Sequence, residues 1–465
     1  MVPTRIVILG GGPGGYEAAL VAVEHGADVS IVSREGLGGN SVLWDCVPSK
    51  ALVVSAEAMG WMQSAHRLGV RSSAGADLAA KAVVDMGAVM DRVRCLARDQ
   101  SEDIAKRVSG QGVRVVEGVG RLAGRDAVEV ECADGRTKVL RADVVLVATG
   151  SAPRVLDFSR PDGERVFTSR ELLGLRTLPE RLVVVGSGAT GAEYAHAFAR
   201  FGSRVHLVSA RDQVLPGEDP DAAALIEDSF ERWGMTIHRG QRATSMQRGA
   251  DGVRVRVGDE WVEGSHALFC VGQVPSSRGL GLEAAGVELD DRGAVAVDGV
   301  SRTSVHTIYA AGDVTGGVML ATTAAMQGRI AMWHALGMAV APLRRDAIAA
   351  CVFTDPEVAT VGMSAADAAE SHLPVETVCL PLAGNSRAKM REHTDGFVKI
   401  HALAGSGAVL GGSVVADRAS ELITPLSVAV FNRLTVSQLA YAFSIYPSLG
   451  GSLHEAARLL MGRLT

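Results

Sequence analysis

Two distant stretches of this chain share one design, and that repetition constrains the fold more than any other feature. Arg5–Leu9 is a short apolar run, followed by Gly10, Gly12 and Gly15 in GGGPGG and a helix-compatible segment from Tyr16 to His25. Much later, Leu182–Val185 is followed by Gly186, Gly188 and Gly191 and a helical segment from Ala192 to Phe201. An apolar strand comes next in both cases, Asp28–Val32 and Val205–Val208, so each copy completes a βαβ unit. The first glycine permits the tight turn, the second lets backbone approach a pyrophosphate at a helix N-terminus, and the third lets helix and strand pack closely. Two such units predict an α/β fold with two Rossmann-like dinucleotide-binding domains, one for a bound redox cofactor and one for an exchangeable nicotinamide.

Both units depart from the usual pattern at the same place. The ribose-binding acid expected at the end of the second strand is Ser33, followed by Arg34 and Glu35, so adenosine-ribose recognition must differ there or use Glu35. In the second unit the position is Ser209, with Arg211 two residues on. An arginine there can meet a 2'-phosphate and leans the reading towards NADPH, the plain alternative being a surface arginine in a turn.

A length of 465 residues leaves room for about three domains, and 54 glycines with 47% hydrophobic residues suit an α/β enzyme with many tight turns. The balance of 46 basic against 52 acidic residues, without a long basic run, argues against a nucleic-acid partner. Cys46, Cys95, Cys132, Cys270, Cys351 and Cys379 are scattered, with neither zinc spacing nor a local redox pair. The N-terminus enters a strand by Arg5 with no charged-then-apolar leader, and no apolar run reaches the ~18 residues of a membrane span, so a cytoplasmic protein is expected.

Between the two units, residues 51 to about 110 read as helical, with charges on one side from Ala80 to Val108 that suit a solvated face. Strands are expected at Val113–Val116, Ala127–Cys132 and Val139–Ala148, the last ending in Thr149 and Gly150, where backbone can approach a nucleotide. Ala267–Val271 leads to Gly272, and Ser304–Ala311 leads to YAAGDVTG. The Asp313 carboxylate there can accept from a sugar hydroxyl or cap a helix. After about Leu343, strands Val352–Thr354, Phe397–His401 and Val409–Val415 and helices from Ala419 and Leu439 form a further α+β module suited to a subunit interface.

The segment GGNSVLWDCVPSK, Gly38 to Lys50, carries a solitary cysteine beside a basic residue. Val42, Leu43 and Val47 suggest a helix that Pro48 should kink. On a helix Cys46 and Lys50 share a face, so the cation could favour a thiolate; an inert buried thiol is the alternative.

Together GGGPGG, GGNSVLWDCVPSK, VLVATGSAPR, VVVGSGATGAE, IYAAGDVTG, FTDPEVATVG and NSRAKM resemble, over nearly the whole chain, the flavoprotein disulfide reductases. That is the group of lipoamide dehydrogenase, glutathione reductase and mercuric reductase. The resemblance implies FAD-binding parts at 1–155 and 275–343, an NAD(P)-binding part at 156–274, and a dimerisation domain at 344–465 in a homodimer. FAD contacts are then expected from Gly10, Gly12, Pro13, Gly14 and Gly15, from Ser33 and Arg34, and from Gly39, Asn40, Ser41 and Lys50. Gly120, Thr149, Gly150, Asp313, Leu320 and Ala321 complete that set. NADPH or NADH contacts are expected from Gly186, Gly188, Thr190, Gly191, Glu193, Ser209, Arg211 and Gly272.

In the family two cysteines follow the double glycine, and here the first is Ser41, which cannot form a disulfide. Cys46 matches the sulfur next to the flavin. The family's histidine before proline and its partner glutamate, supplied across the dimer as an acid-base pair, are replaced by Tyr446 and Gly451, and neither can run that relay. His454 and Glu455 lie nearby but out of register and are expected at the surface. Lys50 matches the lysine beside flavin N5 and Glu193 the glutamate that holds it, both serving hydride transfer from the nicotinamide, and Ala189 is a small residue where relatives often cover that pocket.

The losses point to an enzyme that takes hydride yet cannot reduce disulfides, and the chain is most similar to the lipoamide-dehydrogenase-like NAD(P)H quinone reductases of actinobacterial type. These share VLWDCVPSK in similar form, the lost first cysteine and YPSL. A soluble pyridine-nucleotide transhydrogenase, which shares the positions of Trp44 and Tyr446 but keeps the first cysteine position and loses the second, is the main alternative. A peroxide-reducing enzyme using Cys46 as sulfenic acid and a non-catalytic flavoprotein sensor are others, the last opposed by the joint presence of Lys50, Glu193 and both glycine turns.

Overall fold

The computed structural model describes residues 2–71 and 82–463, so the helical expectation for residues 72–81, including the start of the charged face at Ala80, lies outside the described residues. By contact the chain forms two compact units. The first comprises Met1–Ala51, Gly87–Arg154 and Gly272–Leu343, and the second Leu52–Met86, Val155–Val271 and Arg344–Thr465.

In the first unit a seven-stranded sheet runs in the order Ile308–Ala310, Val144–Val147, Arg5–Leu9, Asp28–Ser33, Arg114–Leu122, Ala127–Cys132, Thr137–Arg141. Its first five strands are parallel, and the last two join as an antiparallel meander. Ile6–Leu9 and Val144–Val147 are buried throughout, which is why they read as unbroken apolar runs. The single strand expected over Val139–Ala148 is instead two, Thr137–Arg141 and Val144–Val147. The chain breaks where the Ala142 N–H leaves for the Asp126 carbonyl and Asp143 pairs with Arg5 at 2.7 Å. The strand expected at Ser304–Ala311 is only Ile308–Ala310.

The second unit contains a parallel sheet in the order Thr236–His238, Arg204–Val208, Arg181–Val185, His266–Phe269, Val166–Phe167. A three-stranded meander over Ala243–Gly264 shares its core, Val253, Val255 and Val257 packing with Val183, Val185 and Phe269. An antiparallel sheet follows, ordered Ala349–Val352, Glu357–Gly362, Val409–Ala416, Phe397–Leu403, Val375–Pro381. The strand expected at Val352–Thr354 therefore lies earlier. Buried Lys399 reaches Asp219 at 2.7 Å and Asp221 at 2.6 Å, tying this sheet to the N-terminus of helix Pro220–Arg232. Among the described residues no helix is long and apolar enough to cross a membrane.

Candidate functional site

The first glycine turn is shaped by backbone that leaves no room for a side chain. Gly10 has φ +107°, and a Cβ there would lie 2.2 Å from the Ala148 carbonyl oxygen; one on Gly15 would lie 2.0 Å from the Gly10 oxygen. Helix Pro13–Glu24, with Gly14 and Gly15 in its first turn, starts at Gly12 without a side-chain cap, so its first N–H groups point out of the turn. The second glycine segment closes over this end. Gly38 N–H donates to the Gly11 carbonyl at 2.7 Å, and Gly39, at φ +56°, would place a Cβ 2.7 Å from Gly12 Cα.

From that cover the chain makes a short helix, Gly39–Leu43, in which the Ser41 hydroxyl donates back to the Gly38 carbonyl at 2.9 Å. Pro48 does not kink it. The helix ends earlier, at Trp44 with φ −133°, and a new one spans Cys46–Ser64, where Pro48 in the first turn has no intrahelical N–H bond to lose. Cys46 is consequently the first residue of that helix, half-buried and in no disulfide. Half-buried Lys50 follows one turn later on the same helix.

Three further segments of the first unit converge on Ser151. Its carbonyl accepts from Asn40 Nδ2 at 2.5 Å, and its hydroxyl donates to Asp313 at 2.7 Å. Strand Ser151–Pro153 pairs with Gln273–Pro275, while the Thr149 hydroxyl and the Gly150 carbonyl both bond Ser276. Gln327 holds the Gly312 N–H at 2.8 Å and so fixes the turn that carries Asp313. Burial pushes the Asp313 carboxyl above the usual carboxylate range, and the Ser151 hydroxyl opposes that shift. Helix Ala321–Ala335 begins at Leu320 without a side-chain cap. In the first unit the buried atoms Gln273 Oε1 and Thr323 Oγ1 have no hydrogen-bond partner among the described residues.

These features fit a flavin dinucleotide: uncapped helix ends for its phosphates and ring oxygens, a half-buried carboxylate for its hydroxyl groups, and unmatched polar atoms for its remaining edges.

The second turn repeats the first. Gly186 has φ +109° and no room beside the Cys270 oxygen, 2.1 Å from a Cβ, and Gly191 sits against the Gly186 oxygen at 1.8 Å. Helix Ala189–Phe201 starts at uncapped Gly188, with Ala189 exposed and Thr190 half-buried in its first turn. Glu193 on that helix is 1% exposed, and its Oε1 accepts the Phe353 N–H at 3.1 Å.

Several expected residues are placed otherwise than the sequence reading implied. The Ser33 hydroxyl donates to the Gly36 carbonyl at 2.5 Å, while Glu35 takes Arg34 at 2.6 Å and the Trp44 indole N–H at 2.8 Å. Ser209 is fully buried, its hydroxyl 2.8 Å from Ser187 Oγ and from the Arg211 carbonyl, so it shapes the loop from within. Arg211 is exposed, with no ion pair among the described residues. A Cβ on Gly120 would lie 2.4 Å from Leu9 Cδ2 and 3.1 Å from Val32 Cγ1, which accounts for that glycine by packing within the sheet. Gly272 falls in the first unit, its carbonyl accepting the Arg154 N–H at 2.9 Å. His454 is half-buried rather than at the surface, Nδ1 lying 2.9 Å from the Leu439 carbonyl, while Glu455 pairs with Arg458 outside. Ser151 and Gln327 were missed; only strand pairing and turn geometry bring them to Asp313.

Fold and site together define a two-nucleotide oxidoreductase, and sequence comparison specifies which. The chain belongs to the pyridine nucleotide-disulphide oxidoreductase family, whose main model matches residues 4–328 and whose dimerisation domain matches residues 348–457. NAD(P)H dehydrogenase (quinone) of Mycobacterium tuberculosis is 47% identical, over 98% of this chain and 94% of its own. Dihydrolipoyl dehydrogenase of Chlorobaculum tepidum is 34% identical over 97% and 96%. A crystal structure of LpdA from Mycobacterium tuberculosis matches with a TM-score of 0.93 at 46% identity, covering 98% of this chain and 100% of that one. The flavoprotein disulfide reductase RclA of Escherichia coli shares the fold, with a TM-score of 0.86 at 24% identity. This protein is an NAD(P)H-dependent flavoprotein oxidoreductase that uses FAD.

Proposed function

We propose that the enzyme oxidises NAD(P)H with a quinone, giving NAD(P)+ and hydroquinone, and does not reduce disulfides. The observation that carries this reading is Ser41. Its hydroxyl is turned back onto the Gly38 carbonyl where a disulfide reductase needs a second sulfur, which leaves Cys46 outside any disulfide. Tyr446, 85% exposed, and Gly451 supply no histidine-carboxylate relay for thiol exchange. The name of the M. tuberculosis relative, NAD(P)H dehydrogenase (quinone), points the same way.

FAD, when bound, supplies the two-electron chemistry between nicotinamide and acceptor. The chain's own residues bind and orient. The Gly12 and Gly188 helix ends take the phosphates of the two nucleotides, and Asn40, Ser41, Thr149, Gly150 and Asp313 hold FAD. Lys50 provides positive charge for the reduced ring, and Glu193 serves the nicotinamide side. Exposed Arg211 suits a 2'-phosphate and favours NADPH. We read residues 1–155 with 275–343 as the FAD-binding part, 156–274 as the NAD(P)-binding part, and 344–465 as the interface of a homodimer. The exposed apolar side chains of Tyr441, Phe443 and Ile445 suit the interface assignment.

Rapid mixing of the holoenzyme, reduced anaerobically by two electrons per FAD, with a soluble quinone, with lipoamide and with an oxidised nicotinamide analogue tests the reading. Fast reoxidation by quinone alone is expected. Reoxidation by lipoamide, or by the nicotinamide analogue alone, overturns it.

A further inference from the structure

Asp313 stands at a meeting of four segments, yet only one side chain donates to its carboxylate among the hydrogen bonds described, the hydroxyl of Ser151 at 2.7 Å. Burial is the largest influence on that carboxyl and drives it towards the neutral form; the Ser151 hydrogen bond acts in the opposite direction. Among the described residues no cation takes part. Strands Ser151–Pro153 and Gln273–Pro275 carry no ionisable side chain, and the charged or titratable groups of helix Ala321–Ala335 are engaged elsewhere, Arg329 with Glu17 at 2.5 Å and His334 with the Tyr309 hydroxyl at 2.8 Å. Within its own turn, the Gly312 N–H is taken by Gln327 and the Thr315 hydroxyl by the Gly312 carbonyl.

We propose that Ser151 is a positioning residue for FAD: its hydroxyl, donated to Asp313, keeps that carboxylate in the ionised form that accepts the cofactor's hydroxyl groups. Its carbonyl is meanwhile bound by Asn40 from the Gly38–Lys50 segment, so one residue joins both halves of the cofactor cradle through separate atoms. The proposal rests on the reading of Asp313 as an FAD-holding residue. It extends that reading to acid sensitivity, since an ionised carboxylate is the stronger acceptor and loses its charge as pH falls through its raised titration point. Removing the Ser151 hydroxyl raises that point further, so FAD should be released at a higher pH.

The separation of atoms makes the test clean. Ser151→Ala deletes the donor to Asp313 but keeps the carbonyl that Asn40 binds, and Ser151→Thr keeps both. The measurement is release of FAD from the holoenzyme, followed by recovery of free-FAD fluorescence on dilution between pH 8.5 and pH 4.5, with far-UV circular dichroism as a check on folding. Ser151→Ala should hold FAD nearly as the parent does at the alkaline end and release it with a midpoint shifted to higher pH, so that retention near the parent's midpoint is weaker. Ser151→Thr should restore the parent profile. An unmoved midpoint in Ser151→Ala, or a loss of FAD equal at every pH, overturns the proposal, because a structural role alone would weaken binding uniformly. Asp313→Asn separates the two levels of argument: weak retention that no longer follows pH supports the Asp313 reading, whereas retention equal to the parent's overturns that reading itself.

Discussion

The two glycine turns are nearly the same object in different company. Gly12 and Gly188 adopt φ −73°, ψ −177° and φ −71°, ψ −176°, and both open a helix with no side-chain cap. Gly10 and Gly186 both press on a carbonyl of the neighbouring strand's end, and Gly15 and Gly191 on the turn's own first carbonyl. They differ in what lies above them. Gly39 sits over Gly12, whereas among the described residues nothing lies within 4 Å of the position a Cβ would take on Gly188. A covered turn suits a nucleotide that stays through many turnovers, an open one a nucleotide that enters and leaves in each. On the proposed assignment, the distinction between resident FAD and exchangeable NAD(P)H lies in one added glycine segment rather than in the turns themselves.

The largest effects should fall on the shared part and be alike in both copies. Gly15→Ala and Gly191→Ala place a Cβ 2.0 Å and 1.8 Å from backbone oxygens that cannot move without opening the turn. Each should destabilise the holoenzyme by about 1–3 kcal/mol, read by thermal or urea unfolding. If one is tolerated and the other is not, the turns are not equivalent. Next in size is the cover. Gly39→Ala combines a positive φ with a contact of 2.7 Å to Gly12 Cα. At about 1–2 kcal/mol for the backbone conformation alone, about tenfold weaker FAD retention is expected. Purified protein should stay folded but carry less flavin, and full flavin content would show that the cover is not part of the cradle.

A smaller and more selective effect is expected at the second strand's end. Arg211 is exposed, so Arg211→Ala should leave folding and FAD content alone. Losing a charge-assisted contact of about 1.5–3 kcal/mol should raise KM for NADPH about tenfold or more while KM for NADH changes little. Equal changes for both nucleotides would remove the 2'-phosphate assignment.

What the sequence made legible follows from how local each feature is. Glycine turns, buried parallel strands and their helices are set by residues adjacent in the chain: the strands Arg5–Leu9, Asp28–Ser33, Arg181–Val185 and Arg204–Val208 lie within one residue of where the pattern put them, while the two helices begin three residues earlier, at Pro13 and Ala189. The break in Val139–Ala148 was invisible because it depends on Asp126 and Arg5, far away in sequence. The Pro48 kink failed for a related reason: proline is harmless in a first turn, and whether Cys46 begins a helix or continues one is decided by the unwinding at Trp44. Ser209 and Arg211 were both expected at the nicotinamide nucleotide, the serine in place of the missing acid and the arginine for a 2'-phosphate, yet burial turned the serine inward and left the arginine outside. The meander over Ala243–Gly264 carries a clear alternation in Val253–Val257, but its membership of the core of the second unit's parallel sheet comes from packing alone. Ser151 gave no signal beyond following Gly150, because its importance lies in the strand pairing that brings Asp313 to it.

The smallest effect sharpens the comparison most. Gly188→Ala introduces a methyl group into open space at a φ that alanine accepts, so folding stability and FAD content should match the parent enzyme. On the proposed assignment the same space is where a pyrophosphate approaches the uncapped helix end, and one added carbon there lengthens the contact that backbone N–H groups can make. KM for NADPH and NADH should therefore rise together by about three- to tenfold, matching a loss on the order of 1 kcal/mol from weakened hydrogen bonds. A parallel rise for both separates this position from Arg211, which should distinguish them. The paired change Gly12→Ala differs in kind. It would add the same methyl beneath Gly39, 3.8 Å from its Cα, and should register in FAD retention and not in nucleotide KM. Were Gly188→Ala to lower flavin content instead, the open turn would be holding the resident cofactor and the assignment of the two units would have to be reversed.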